Sequence, residues 1–253
     1  RLLESPWLEA IEGNRRYLHA LEPDRLLHNF RASAGLEPKG AVYGGWESDT
    51  IAGHSLGHYL TALSLMYAQT GDEECKTRVD YIVSELAAAQ AAHGDGYVAG
   101  FTRKRGDVVE DGKTIFAELT RGDIRSMGFD LNGCWVPFYN WHKLFAGLFD
   151  AQELCGNAKA LPVAVGLGTY IDGVFAALND DQVQQILDCE HGGINESFAE
   201  LHARTKDPRW MRLAERLRHR KILDPLSEGT DSLPWIHANT QIPKIIGLAR
   251  LHE

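Results

Sequence analysis

The sequence predicts an all-α fold built from repeated helical hairpins, either stacked or closed into an α/α toroid. Three observations carry this expectation. Apolar residues recur at helical spacing along most of the 253 residues, and strand-like alternation is scarce. The same punctuation, a helix followed by a tight turn and another helix, appears at Thr70-Gly71-Asp72, at Cys155-Gly156-Asn157 and at Thr205-Lys206-Asp207-Pro208. The composition, 44% hydrophobic and 24% charged, is that of a globular chain long enough to bury a large core, which excludes wholesale disorder and fibrous repeats.

Each element has a local reason. Ser5-Pro6 supplies a cap and a first-turn proline for a helix over residues 7–21. A second helix, over 24–34, stops at Gly35. The clearest one, over 48–69, places Leu56, Leu60, Leu63 and Tyr67 on one face. Gly71 closes it and Asp72 caps the next, over 72–92. Further helices follow over 138–154, 194–204 and 242–251. The inserts 94–133 and 223–240 read as long loops on this scaffold, where binding functions concentrate.

Charge and cysteine usage narrow the partners. Lys and Arg total 26 against 35 Asp and Glu, a net −9 that repels phosphate backbones, so nucleic acid is not the expected ligand. Cys75, Cys134, Cys155 and Cys189 form no CxxC pair and read as reduced and buried. The longest apolar stretch, 160–177, contains Pro162 and Asp172 and is too interrupted to span a membrane. The chain starts at Arg1 rather than Met, so the compartment stays open, with a periplasmic or secreted location favoured over a cytoplasmic one.

Four clusters gather polar and aromatic residues beside glycine turns: 44–60, 135–143, 190–196 and 237–244. His54 and His58 lie one helical turn apart, but Ser55 stands where a zinc protease needs glutamate. One core imidazole and one at a pocket rim is favoured over a metal pair. Glu47, Asp49, Glu190 and Glu196 are the carboxylates at these turns. Asp49 reads as a cap, whereas Glu196, following Gly192-Gly193 at a helix start, is a candidate for ligand contact or catalysis. Trp46, Trp135, Trp141 and Trp235 fall in or next to the clusters, and flat indoles beside amides and imidazoles suit the C–H faces and hydroxyls of a sugar. Arg103-Lys104-Arg105 reads as a solvated turn, and the sequon at Asn195 as an unexposed one. Nucleotide-binding and serine-hydrolase motifs are absent from the sequence.

Taken together and in this order, GWESDTIAGHSLGHYLTALSLMYAQTGD, DGYVAGF, WVPFYNWHKLFAGLFDA, EHGGINESFAELHARTKD and HANTQIPKIIG resemble the N-terminal half of the DUF1680 glycoside hydrolases (GH127/GH146-like), whose characterised members are β-L-arabinofuranosidases. The resemblance implies an (α/α)6 barrel, here partial, with residues 1–253 as one unit and any β-sandwich domains absent. It implies retaining hydrolysis of L-arabinofuranosides from plant cell-wall glycans or glycoproteins, by a cysteine thiolate held on zinc, with a separate glutamate as acid/base. The ETC-type and paired-cysteine motifs that carry that chemistry are missing from this sequence. No metal ligand or cofactor is therefore expected within this chain, zinc belongs to the complete enzyme, and the piece alone is expected to be inactive.

The resemblance carries over part of the sugar-binding wall. His142 and His237 match pocket histidines, and His191 a third where many relatives carry another residue. Glu47, His58, Glu196, Asn239 and Gln241 stand in motif positions, with Trp141 beside them. The expected partner is carbohydrate, without nucleic acid or membrane, and an incomplete barrel would expose apolar faces that self-associate. Three rival readings remain. A sugar epimerase or isomerase would use His142, His191 and His237 as acid/base groups. A helical module would bind carbohydrate without chemistry. Glu47 and Glu196 would in the third form a complete carboxylate pair.

Overall fold

A computed structural model describes residues 3–253. Its helices are α1 (Pro6–Ala20), α2 (Pro23–Leu26), α3 (His28–Ser33), α4 (His54–Thr70), α5 (Glu73–His93), α6 (Thr114–Leu119), α7 (Pro137–Cys155), α8 (Ala160–Ala176), α9 (Asp180–Leu187), α10 (Ile194–Thr205), α11 (Pro208–Arg216), α12 (Arg220–Ser227) and α13 (Ala238–His252). Three hairpins, α4/α5, α7/α8 and α10/α11, stand side by side. Their first helices, continued by α13, form an inner row, in which α4 packs on α7, α7 on α10 and α10 on α13. Their second helices lie outside, with α5 against α8. Two concentric rows of this kind are the layering of an α/α toroid.

The hairpin turns form for the reasons the sequence gives. Gly71 and Gly156 close α4 and α7 with φ of +77° and +66°, which costs glycine nothing. The Asp72 and Asp207 carboxylates accept from the first free amides of α5 and α11. The inner row is drawn tight by glycine. A β-carbon on Gly57 of α4 would sit 2.3 Å from the Lys143 carbonyl of α7, and one on Gly147 would sit 2.6 Å from the Gly57 carbonyl. The two backbones touch at this crossing, and it sets which face of α7 looks out.

Several boundaries differ from expectation. The helix expected from residue 48 starts at His54, because Gly53 takes φ +106° and only a short 3-10 turn, Gly45–Glu47, precedes it. The segment 24–34 breaks into α2 and α3 at Leu27. The last helix begins four residues early, at Ala238. The insert 94–133 is no bare loop. With the following Cys134–Trp135 it forms an antiparallel sheet of five short strands, β1 (Thr102–Arg105), β2 (Val108–Asp111), β3 (Ser126–Met127), β4 (Asp130–Leu131) and β5 (Cys134–Trp135), in the order β2-β1-β5-β4-β3. Arg103 pairs in register with Cys134 there and is 5% exposed. Its guanidinium holds Glu110 and Glu118, each at 2.6 Å, so it is a buried strand residue rather than part of a solvated turn. Among the described residues no helix is long and apolar enough to cross a membrane. All four cysteines are free and buried, and α13 leaves Ile242, Ile245 and Ile246 exposed.

Candidate functional site

The inner helices α4, α7, α10 and α13 all begin at one end of the arc, and none has a capping side chain at its own N-cap residue. At α4 the missing cap is supplied from upstream. Glu47 accepts from the amides of Gly53 (2.9 Å) and Ser55 (3.3 Å). The same carboxylate lies 2.9 Å from His54 Nδ1, which is also 2.9 Å from the Ile51 carbonyl. Both neighbours are acceptors, so in the neutral ring Nδ1 carries the proton and Nε2 keeps its lone pair, while the imidazolium donates from both. Burial opposes charge on both partners, but their mutual bond outweighs it: Glu47 is held below its ordinary 4.5 and His54 above 6.5. Asn140 fixes this turn to α7 by donating to the carbonyls of Ile51 (2.7 Å) and Ala52 (3.0 Å).

α7 starts from Val136, whose φ of +42° is a strained value for a β-branched residue. One face of its first turns presents Tyr139, His142 and Lys143, with the Lys143 ammonium 4.9 Å from the centre of the Tyr139 ring. The other face carries Asn140 and Trp141 into the core. Trp141 is fully buried, donates its indole N–H to the Val98 carbonyl at 3.0 Å and stacks on Phe116. This corrects the expectation that it touches sugar: its ring is core.

The turn before α10 is moulded around His142. A β-carbon on Gly192 would approach His142 Nδ1 to 2.6 Å, and one on Gly193 would lie 3.0 Å from both His142 Nε2 and a Glu196 oxygen. The Gly193 amide donates to His142 Nδ1 at 3.1 Å. Nε2 therefore holds the proton and faces Glu196 Oε2 at 3.4 Å. Burial keeps the His142 pKa below 6.5 despite that carboxylate. His58 joins this wall from α4. It is open to solvent yet crowded by protein, and desolvation together with Lys143, His54 and His142 pushes it down to about 4.

His54, Tyr139, Glu190, His237 and Asn239 converge on a cleft of about 250 Å³, whose aromatic sides are Trp46, Trp135 and Phe129. Trp46 and Trp135 meet edge to face, 6.1 Å between centroids. Glu190 is 7% exposed, and among the described residues no donor reaches its carboxylate within hydrogen-bond distance. The structure thus brings His237 and Asn239 into the cleft, and His58, His142 and Glu196 onto the adjoining wall. Glu47 stands behind His54 and faces its helix start. Two other expected contacts do not reach the cleft. His191 is 1% exposed, bonded to the Cys189 carbonyl, and kept neutral by burial and Lys244. Gln241 accepts from the buried Lys244 ammonium, 2.9 Å away, inside the helix packing. Tyr139 was missed by sequence reasoning, His54 was named only as one of two histidines of which one sits at a pocket rim, and Glu190 only as a turn carboxylate. A Glu–His contact formed across a non-helical turn has no spacing signature.

A larger opening near α6 and α8, about 420 Å³, offers Asp95, Tyr170 and two threonines. Its one carboxylate is already paired with Lys113 at 2.8 Å, so it lacks the facing acid and imidazole groups of the cleft. The donor set of the cleft does not fit a cysteine-rich zinc centre. Burial raises all four thiols, Cys75 to about 11 and Cys134 and Cys189 further, and none lines the cleft. Among the described residues one group of three metal-ligating types, His19, Asp72 and Cys75, lies together, at the far end of α4. There Asp72 already accepts from Arg15 at 3.3 Å and pairs with His19 at 3.0 Å.

Comparison with known proteins agrees with this architecture. A family model described as β-L-arabinofuranosidase, GH127 catalytic domain, matches residues 1–253. Among solved structures, a GH127 β-L-arabinofuranosidase from Geobacillus stearothermophilus T6 superimposes with a TM-score of 0.56 at 15% identity, covering 95% of this chain. The chain spans 36% of that protein's length. No curated protein matches the sequence. The shared helical fold and the full-length family match lead to one conclusion: the chain belongs to the GH127 β-L-arabinofuranosidase catalytic-domain family.

Proposed function

We propose that the intact protein is a retaining glycoside hydrolase acting on L-arabinofuranosides of plant glycans or glycoproteins, and that this chain supplies the sugar-holding half of its site. The observation that carries the reading is one small cleft with aromatic sides, lined by polar groups from the starts of α4, α7 and α13 and from the turn before α10. About 250 Å³ lies below the range of drug-sized pockets and suits a single sugar ring. Trp46 and Trp135 offer faces for C–H stacking. Tyr139, His237 and Asn239 offer hydroxyl, imidazole and amide partners for sugar hydroxyls. His142, its Nδ1 tied to the Gly193 amide, directs Nε2–H at Glu196, the solvent-accessible carboxyl of that wall and the one here available to hold or pass a proton.

The isomerase alternative needs three facing histidines, and the burial of His191 removes one of them. The test has two parts. Binding of methyl β-L-arabinofuranoside to this chain is measured by saturation-transfer NMR, and release of nitrophenol from the aryl β-L-arabinofuranoside is followed in parallel. Binding without turnover is expected. Turnover by the 253-residue chain contradicts a nucleophile lying elsewhere, and absence of binding overturns the sugar reading.

A further inference from the structure

We propose that His54 and Glu190 clamp two hydroxyl groups of one neutral sugar ring from opposite sides of the cleft, and that Glu47 is the positioning residue that fixes the His54 tautomer. The inference rests on the sugar-cleft reading above and adds residues and a specificity that the family match does not assign.

Two independent observations carry it. The first is the carboxylate of Glu190: more than nine-tenths buried, lining the cleft, and with no donor among the described residues to satisfy it. A carboxylate accepts hydrogen bonds only; the cleft leaves these oxygens to water, which a ligand hydroxyl can replace by donating to them. Its backbone is fixed, since the Glu190 amide donates to the Gly128 carbonyl at 2.7 Å. The second is the imidazole of His54. Glu47 and the Ile51 carbonyl both claim Nδ1–H at 2.9 Å, so in the neutral ring the nitrogen left over for the cleft is an acceptor. Glu47 is itself held by two backbone amides, so the ring cannot rotate its proton round to the cleft without losing that partner.

Two acceptors on one cleft select a ligand that brings two donors. A neutral sugar does so with hydroxyl groups. A uronic acid or a sugar phosphate presents an anion to Glu190 and is rejected by like charge. Trp46 and Trp135 then supply the stacking face between the two polar contacts.

The experiment uses the 253-residue chain with ¹⁵N-labelled histidine. Methyl β-L-arabinofuranoside, L-arabinopyranose, D-galactose and sodium glucuronate are titrated against wild type, Glu190→Gln, Glu47→Gln and His54→Gln, each first checked for folding by circular dichroism. Recorded at a pH above the His54 transition, the expected wild-type spectrum shows His54 protonated at Nδ1 alone, with its Nε2 resonance moving on addition of the neutral sugar. Glu190→Gln weakens that binding about tenfold, the loss of one hydrogen bond to a charged group. Glu47→Gln mixes the His54 tautomers and weakens binding severalfold, a spectroscopic change that a purely structural role of Glu47 would not produce. Glucuronate does not bind. Arabinofuranoside binding that is indifferent to both Glu190→Gln and His54→Gln overturns the clamp and leaves the functional reading standing. Binding of another neutral sugar in place of arabinofuranoside, lost in Glu190→Gln, supports the clamp and overturns the arabinofuranoside reading. Glucuronate binding as tightly as the neutral sugars, or no binding of any, overturns the clamp.

Discussion

The two ends of the helical rows are built on different principles. At the outer turns, α5 and α11 each start with a side-chain cap of their own, from Asp72 and Asp207. Salt bridges such as His19 with Asp72 cluster there. At the cleft end the inner helices start from Gly53, Val136, Gly193 and His237 without such a cap. Their free amides are met by Glu47 and by His142, or stay available. The first end spends its polar groups on holding the frame, whereas the second leaves them for a ligand and accepts left-handed backbone at Val136 and Thr50.

The contrast can be broken or sharpened by substitution, beginning where the effect is greatest. Trp141→Ala empties part of the aromatic core and is expected to cost about 3–5 kcal/mol in urea unfolding, with little direct effect on ligand contacts. Gly57→Ala forces the α4–α7 crossing apart. It should cost about 1–3 kcal/mol and, unlike a core truncation, should also displace His54 and His58 from the α7 wall, visible as weaker sugar binding.

Acid acts on the histidines that folding keeps neutral. Desolvation and neighbouring cations lower His58 and His219 to about 4, and burial holds His191 well below 6.5. The unfolded chain takes up these protons first. Stability is therefore complete above pH 6.5 and falls as pH drops towards 4, on the order of 2 kcal/mol for the buried His219, read from thermal midpoints across that range. His54 is shifted the opposite way, so its contribution is full below 6.5 and fades as pH rises through its folded value.

Asp72→Ala and Asp207→Ala should each cost about 1 kcal/mol and leave sugar binding untouched. Trp46→Ala inverts that pattern. The indole is 67% exposed, so stability should change by less than about 0.5 kcal/mol while binding of methyl β-L-arabinofuranoside weakens.

The outer end was the legible one. Gly71, Asp72, Gly156 and Asp207 act through their own backbone and nearest amides, so a one-dimensional string shows them. The sheet was hidden because three of its strands are two residues long and hold together only by pairing across the insert. Helix phase was hidden at α7. Trp141 and His142 are neighbours in sequence, and only the glycine crossing with α4 decides that one is core and the other faces Glu196. The early start expected for α4 had the same origin. Its periodic residues are real, but Gly53 takes a backbone angle that periodicity does not register.

The turn between β3 and β4 is stitched to the cleft on both sides, by the Glu190 amide on Gly128 and the Val136 amide on Phe129. The small sheet therefore works as an interchangeable jaw: evolution or design can swap its few residues and re-aim a carboxylate and an aromatic edge together, while the helical chassis that anchors the opposite jaw stays as it is.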